Sequence, residues 1–369
     1  MKVVIAPDSF KGTLSANEVT NITARALREN YAGITIDEAP IADGGEGTLD
    51  CIHKAEGGAV FHVKVNNPYM EQISGRLLML QNGTAVVEMA EAAGLALVEE
   101  RKNPMLTTTY GVGELIKEAL ERSAQEVLLA LGGSATNDGG IGMAVALGLK
   151  AYDETGKEFL PTGGTLSKIS NLDFGSLDAR IAQTKFRAMC DVTTKLCGAQ
   201  GASYVFAPQK GATAEMLPQL DKGLAHLNQK IEEATGKSYL ELEGGGAAGG
   251  LGAGCAAFLQ ASLVRGIETI LDLIRFDERI ADADVIITGE GRVDNQSFMG
   301  KVLSGVSKRA AKTKAEILVL AGSCTADADT LAKYGVKKVY VTGPERRTMD
   351  EIKKNAANDL YRAAQKITL

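Results

Sequence analysis

Residues 1–47 read MKVVIAPDSFKGTLSANEVTNITARALRENYAGITIDEAPIADGGEG, and this stretch decides the fold class. Residues 3–6 are a short apolar run of strand length that stops at Pro7 and Asp8. Ser15 and Glu18 stand at the spacing of a capping box, in which each side chain satisfies a backbone amide of the other at a helix start. Behind them Val19, Ile22, Ala26 and Leu27 recur at helical spacing. Residues 34–41 alternate as a second strand, and residues 48–55 read as a second helix. Strands alternating with helices predict a parallel, doubly wound sheet.

The same texture returns near the end of the chain. Strands are expected at 284–288, 316–321 and 337–342, with helices at 302–312 and 329–334. Between the two ends the texture changes. Runs at 61–65, 74–80 and 84–89 are separated by Asn66-Asn67-Pro68 and Asn82-Gly83, which predicts antiparallel hairpins. A helix at 113–122, strands at 126–131 and 185–189, and a long polar helix about 215–234 follow. At 369 residues the chain exceeds the size at which one core stops growing. The reading is α/β with two domains. Residues 1–60 plus 255–369 form a discontinuous, Rossmann-like domain with a doubly wound parallel sheet, and residues 61–254 form an inserted domain with a mixed sheet.

Composition narrows the function. A hydrophobic content of 45%, a charged content of 23% and a net charge of -6 are those of a globular protein without a nucleic-acid partner. No run approaches the ~18 apolar residues of a membrane-spanning helix, and the N-terminal run is too short for a signal peptide, so a cytoplasmic location is expected. Five cysteines occur without a CxxC pair, and none of the three histidines lies in a glycine-rich loop. A histidine-based zinc site or a Ser-His-Asp triad is therefore poorly supported. Chemistry falls to carboxylates, lysines and backbone amides.

Glycine- and acid-rich loops follow five of the expected strands. They carry Asp8, Ser9 and Lys11; Asp43, Gly44, Gly45 and Glu46; Gly132, Gly133, Ser134, Ala135, Thr136 and Asp138; Asp191; and Glu290, Arg292 and Asp294. Ligands of α/β sheets bind outside the carboxyl ends of strands, so these loops are candidates for one site. The loop 132–140 is the candidate phosphate cradle, with glycines for close backbone approach, Ser134 and Thr136 as donors, and a helix start behind them. It is not a Walker A loop, because the sequence lacks GxxxxGK[ST]. Residues 244–249 satisfy GxGxxG formally but follow the acidic Glu241-Leu242-Glu243 rather than an apolar strand, which leaves a nicotinamide oxidoreductase with one weak match. The acids exceed what one ion pair uses, and Lys11, Lys210, Arg292 and Lys301 lie in or beside the loops. Phosphoryl transfer needs this mixture: acids for a magnesium ion and for a hydroxyl proton, and cations for transition-state charge. A capping or surface-pair role stays open for any single acid.

These loops resemble those of the bacterial type I glycerate kinase family. The matching strings are APDSFKGTLSA at 6–16, ADGGEGT at 42–48, LGGSATNDGGIGM at 131–143, GAS from Gly201, FAPQKGAT at 206–213, GGGAAGGLGAG at 244–254 and ITGEGRVDNQSFMGK at 287–301. The resemblance implies two α/β domains with the active site in the cleft between them, the cofactors ATP and Mg2+, and phosphorylation of D-glycerate, usually to 2-phosphoglycerate. It leaves open the 3-phosphate and another small hydroxy acid as substrate. The family does not settle individual roles. On physical grounds Asp191 is expected as the general base, with Asp8, Asp43 and Glu290 as acids for the metal or the substrate. Lys11 and Arg292 are expected to clamp anions, and Ser9, Gly44, Gly45, Glu46, Lys210 and Asp294 to line the substrate. Gly132, Gly133, Ser134, Ala135, Thr136, Asp138 and Lys301 are expected to hold ATP. One departure concerns the Asp191 loop, where the family commonly reads CDVTNPL and this chain has Cys190-Asp191-Val192-Thr193-Thr194-Lys195-Leu196.

Overall fold

The computed structural model describes residues 1–298, 300–343 and 348–369. The chain divides into two compact units, one of Met1–Asp43, Asp50–Gly57 and Gly266–Leu369, the other of Gly44–Leu49 and Gly58–Arg265.

The first unit holds a five-stranded sheet in the order Val336–Val341, Glu316–Cys324, Val285–Val293, Lys2–Ile5 and Thr35–Glu38. Every neighbouring pair is parallel. A parallel sheet is covered on both faces, which is why Val3, Val4 and Ile5 are all buried and the strand reads as continuous apolar sequence. The capping box at Ser15 and Glu18 forms and opens the helix Ala16–Asn30. Val19, Ala26 and Leu27 of that helix pack with Leu360, Ala363 and Ala364 over Val3, Ile5, Ile287 and Leu320. A second capping box, Thr348 with Glu351, starts the helix Met349–Ala364, which the sequence reading did not anticipate. The chain builds outward in both directions from the central pair Lys2–Ile5 and Val285–Val293. That pair is the topological switch of the sheet.

One expectation needs correction here. The strand at 284–288 does not end in a loop but continues to Val293, pairing Glu290 with Ala321, Arg292 with Ser323 and Val293 with Cys324. Its glycines are strand glycines. A methyl group at Gly289 would overlap the Leu320 carbonyl, and one at Gly322 would overlap the Gly291 carbonyl, so neighbouring backbones occupy the space of the missing side chains.

The second unit holds a six-stranded sheet in the order Ser262–Val264, Lys185–Met189, Glu126–Ala130, Thr84–Glu88, Gln72–Met79 and Ala59–Asn66, beside a separate pair Lys150–Tyr152 and Asn171–Asp173. The first four run parallel and the last two join antiparallel, as the hairpin signals required. Its core gathers Leu77, Val87, Met89, Leu115, Ile116, Val127 and Leu129, each such side chain contributing about 1.5–3 kcal/mol when fully buried. The helix Met216–Thr235 buries Leu220, Leu224, Leu227 and Ile231 on one face and ends at Gly236 in the left-handed conformation. This unit reaches to Arg265 because the helix Ala247–Leu259 and the strand Ser262–Val264 belong to it, the strand pairing with Lys185–Met189.

Candidate active site

In the first unit, three acids gather around the topological switch. Asp8 follows the strand Lys2–Ile5, Asp43 follows Thr35–Glu38, and Glu290 lies on Val285–Val293. The Asp8 amide donates to the Gly289 carbonyl at 2.8 Å, which fixes Asp8 beside Glu290 in the register of the sheet. Asp8 is only 6% exposed, and its Oδ1 accepts the Ser9 N–H at 2.6 Å. Burial, and then the negative charge of Asp43, push its carboxyl up to about 7, with Glu290 adding to the rise. Burial likewise raises the Glu290 carboxyl, and its Oε1 is buried without a hydrogen-bond partner. Lys11 meets Asp43 at 3.2 Å and keeps 75% of its side chain exposed. The field of Asp43 raises the Lys11 ammonium above its ordinary value, with Asp8 adding to it. One buried acid and two half-buried ones therefore end in one exposed cation.

Lys301, expected near the nucleotide, belongs to this unit instead, where its charge acts on Glu290. Arg292 is 71% exposed and pairs with Asp294 at 3.6 Å. The Asp294 Oδ1 accepts the amides of Gln296 and Ser297 and so closes a turn. Among the described residues, no group of three or more His, Cys, Asp or Glu is placed to hold a metal ion by itself.

In the second unit, the loop 132–140 changes the reading most. Gly133 is exposed and Gly132 half-buried, but every residue from Ser134 to Gly140 is buried. Asp138 is fully buried, and its Oδ2 accepts the Thr109 amide at 2.7 Å, the Thr109 hydroxyl at 2.8 Å and the Gly142 amide at 3.3 Å, while Oδ1 accepts the Gly140 amide at 3.2 Å. The anion at the start of the helix Ile141–Ala146 is the protein's own carboxylate. Asp138 is thus engaged by the protein's own amides and hydroxyls, the Thr136 Oγ1 is buried without a hydrogen-bond partner, and Gly132 and Gly133 are the more accessible part of the loop. Lys210 is likewise enclosed. It is 1% exposed and donates to the Ser134 hydroxyl at 2.7 Å and the Thr136 carbonyl at 2.6 Å, from inside the loop.

The glycines of 244–254 have a packing role. Ala248, Gly249 and Gly250 are all left-handed, and a methyl group at Gly249 would overlap the Thr136 carbonyl. The Gly139 amide donates to the Gly249 carbonyl at 3.0 Å. This stretch is the wall behind the loop 132–140. The GxGxxG match at 244–249 is spent on that contact, and it opens no strand-to-helix turn of a dinucleotide site.

Gly44, Gly45 and Glu46 lie in the other loop of this unit. A Cβ on Gly132 would stand 2.5 Å from the Gly45 Cα, so these two loops touch backbone to backbone. Glu88, buried at the end of the strand Thr84–Glu88, holds the second of them by accepting the amides of Gly47 at 3.2 Å and Leu49 at 2.5 Å. Sequence reasoning missed Glu88, although an acid that ends an apolar strand was the signal used elsewhere. Asp191 and Glu46 are exposed. Lys195, the departure from the family string, pairs with Glu241, and the Gly246 amide donates to the Thr194 carbonyl at 2.9 Å, so the altered turn is anchored on the glycine-rich wall.

Comparison with known proteins shows the family. A family profile described as the glycerate kinase family matches residues 3–369. A glycerate kinase of Bacillus subtilis (strain 168) is 41% identical over 369 residues, covering 100% of this chain and 97% of its own. A glycerate 2-kinase of Escherichia coli (strain K12) is also 41% identical over 369 residues, with the same coverage of 100% and 97%. The crystal structure of a Salmonella typhimurium LT2 protein assigned as glycerate kinase 2 superposes with a TM-score of 0.87 at 39% identity, covering 99% of this chain and 96% of that one. Among the described residues no helix is long and apolar enough to cross a membrane. The chain belongs to the glycerate kinase family and is a kinase acting on a small-molecule substrate.

Proposed function

We propose that the protein transfers the γ-phosphoryl group of ATP to D-glycerate in the presence of magnesium and releases 2-phosphoglycerate. The observation that carries this reading is the group Asp8, Asp43, Glu290 and Lys11 at the switch of the parallel sheet. A general base for a hydroxyl works best when its pKa lies near the working pH, and Asp8, pushed up to about 7, meets that requirement. The base role passes from the exposed Asp191 to the buried Asp8. Asp43 and Glu290 are then the acids that would hold magnesium, which binds through one or two carboxylates and substrate phosphates. The orphaned Glu290 Oε1 and the mutual repulsion of the acids fit such a cation. Magnesium, when bound, supplies charge neutralisation on the phosphate oxygens. Lys11 is the exposed cation left to meet the transferred phosphoryl group. In the second unit, the turn formed by Gly132, Gly133 and Ser134 is the part of the loop still able to contact phosphate.

The 2-phosphate product is favoured by the name of the Escherichia coli relative. The test is an ADP-release assay with D-glycerate, L-glycerate, tartronate and longer aldonates, with the product read by phosphorus NMR. Turnover specific to D-glycerate giving the 2-phosphate is expected. The 3-phosphate would overturn the regiochemistry alone, and turnover of a different acid would overturn the substrate.

A further inference from the structure

The pair Lys210 and Ser134 is a feature that the kinase reading does not absorb. Lys210 lies on the short turn Pro208–Lys210, which follows the helix Ala202–Phe206, and its ammonium is wholly inside the second unit. Its two described acceptors are the Ser134 Oγ at 2.7 Å and the Thr136 carbonyl at 2.6 Å. Ser134 retains 8% exposure, next to the exposed Gly133. A hydroxyl that accepts from an ammonium keeps its own proton to donate, and the ammonium makes that proton a stronger donor. The loop is held on its other sides as well, through Ala135, whose amide donates to the Ala93 carbonyl and whose carbonyl accepts the Thr107 hydroxyl. The loop around Ser134 is thereby held from several sides.

We propose that Lys210 is a positioning residue that acts through the Ser134 hydroxyl, so that a tetrahedral oxyanion of the phosphate class binds the 132–134 turn more tightly when Lys210 is protonated. This rests on the reading of that turn as a phosphate contact.

The charge on Lys210 is sensitive to its surroundings. Burial pushes its ammonium down to about 7, and the carboxylate of Asp138 opposes that shift without cancelling it. Among the described residues Asp138, in the loop 132–140, is the charged group that acts on it. Lys102, whose backbone packs against Gly211, is exposed. As pH rises through about 7 the ammonium becomes an amine. The relay then loses its charge, and anion affinity falls.

Sulfate is a suitable probe, because its own charge does not change across this range. The inhibition constant of sulfate against ATP is measured from about pH 6 to about pH 8.5 at constant ionic strength, for the parent, Ser134→Ala and Lys210→Met. The parent constant is expected to rise by about tenfold, the scale of one hydrogen bond to a charged group. In Ser134→Ala and in Lys210→Met the constant is expected to be high and flat with pH. A flat parent profile overturns the proposal, as does a parent-like pH dependence surviving in both variants. If Lys210→Met does not fold, Ser134→Ala decides the question. If Ser134→Ala leaves sulfate inhibition and the KM for ATP unchanged at every pH while turnover continues, the phosphate-contact reading itself fails. If Ser134→Ala weakens both but Lys210→Met behaves as the parent, only the relay fails.

Discussion

Replacing Asp8 with Asn is expected to stabilise the protein while disabling it. In the folded chain Asp8 ionises near 7, against 3.8 for an unperturbed carboxyl, because it is buried and lies in the field of Asp43 and Glu290. The folded state therefore holds its proton more tightly than the unfolded state does. Stability is fully present below about pH 4, declines as pH rises toward 7, and stays reduced above it. At about 1.4 kcal/mol for each pH unit, carrying the Asp8 charge above pH 7 costs on the order of 4 kcal/mol. Asparagine is neutral at every pH and still accepts the Ser9 N–H through its Oδ1. Thermal unfolding without magnesium should show Asp8→Asn melting at least about 5 °C above the parent at pH 8 and close to it at pH 4. The same variant should lose on the order of 10²- to 10⁴-fold in kcat, the usual contribution of a general base. A variant that melts with or below the parent at pH 8 would refute the argument, since the acid would then not be held against its preference.

Three further substitutions separate competing readings. Asp191→Asn should keep most of kcat, because Asp191 is exposed; a loss larger than that of Asp8→Asn would return the base role to Asp191. Gly132→Ala should cost about 1–3 kcal/mol in urea unfolding and raise the KM for ATP, because its Cβ would stand 2.5 Å from the Gly45 Cα and backbone cannot step aside. Gly133→Ala meets nothing closer than 3.5 Å but sits at φ +76°, so it should cost about 1–2 kcal/mol in strain and raise KM less. Equal KM changes in the two variants would show that the overlap with Gly45 is not what shapes the turn.

The parallel sheet of the first unit was legible because its signals are local. Ser15 and Glu18 mark a helix start within four residues, and continuous apolar strands announce a sheet covered on both faces. The helix Met349–Ala364 carried the same kind of mark in Thr348 and Glu351 and could have been read. The extension of Val285–Val293 could not. Glycine and acid residues at 289–292 look like a loop, and only the approach of Glu316–Cys324 explains why the strand needs a glycine at 289. The stretch 244–254 shows the same limit, since its glycines answer to the Thr136 and Gly139 backbones more than 100 positions earlier in the chain.

For the acids, the deciding quantity is which way each carboxylate turns, and that depends on donors far away in sequence. Asp138 and Asp8 both follow a strand, and burial raises both carboxyls, yet their partners differ. The Asp138 carboxylate is met by amides and hydroxyls of Thr109, Gly140 and Gly142, a set of donors that satisfies it within the fold. Asp8 has the Ser9 amide, two neighbouring acids and one lysine that remains mostly in water. A carboxylate satisfied by its own fold has no lone pair to lend to a reaction. One left short of donors raises the free energy of the native state until a cation or a proton arrives, and phosphoryl transfer to a hydroxyl delivers both. By that reasoning the unsatisfied acids mark the chemistry, and the well-bonded ones mark the scaffold that holds it.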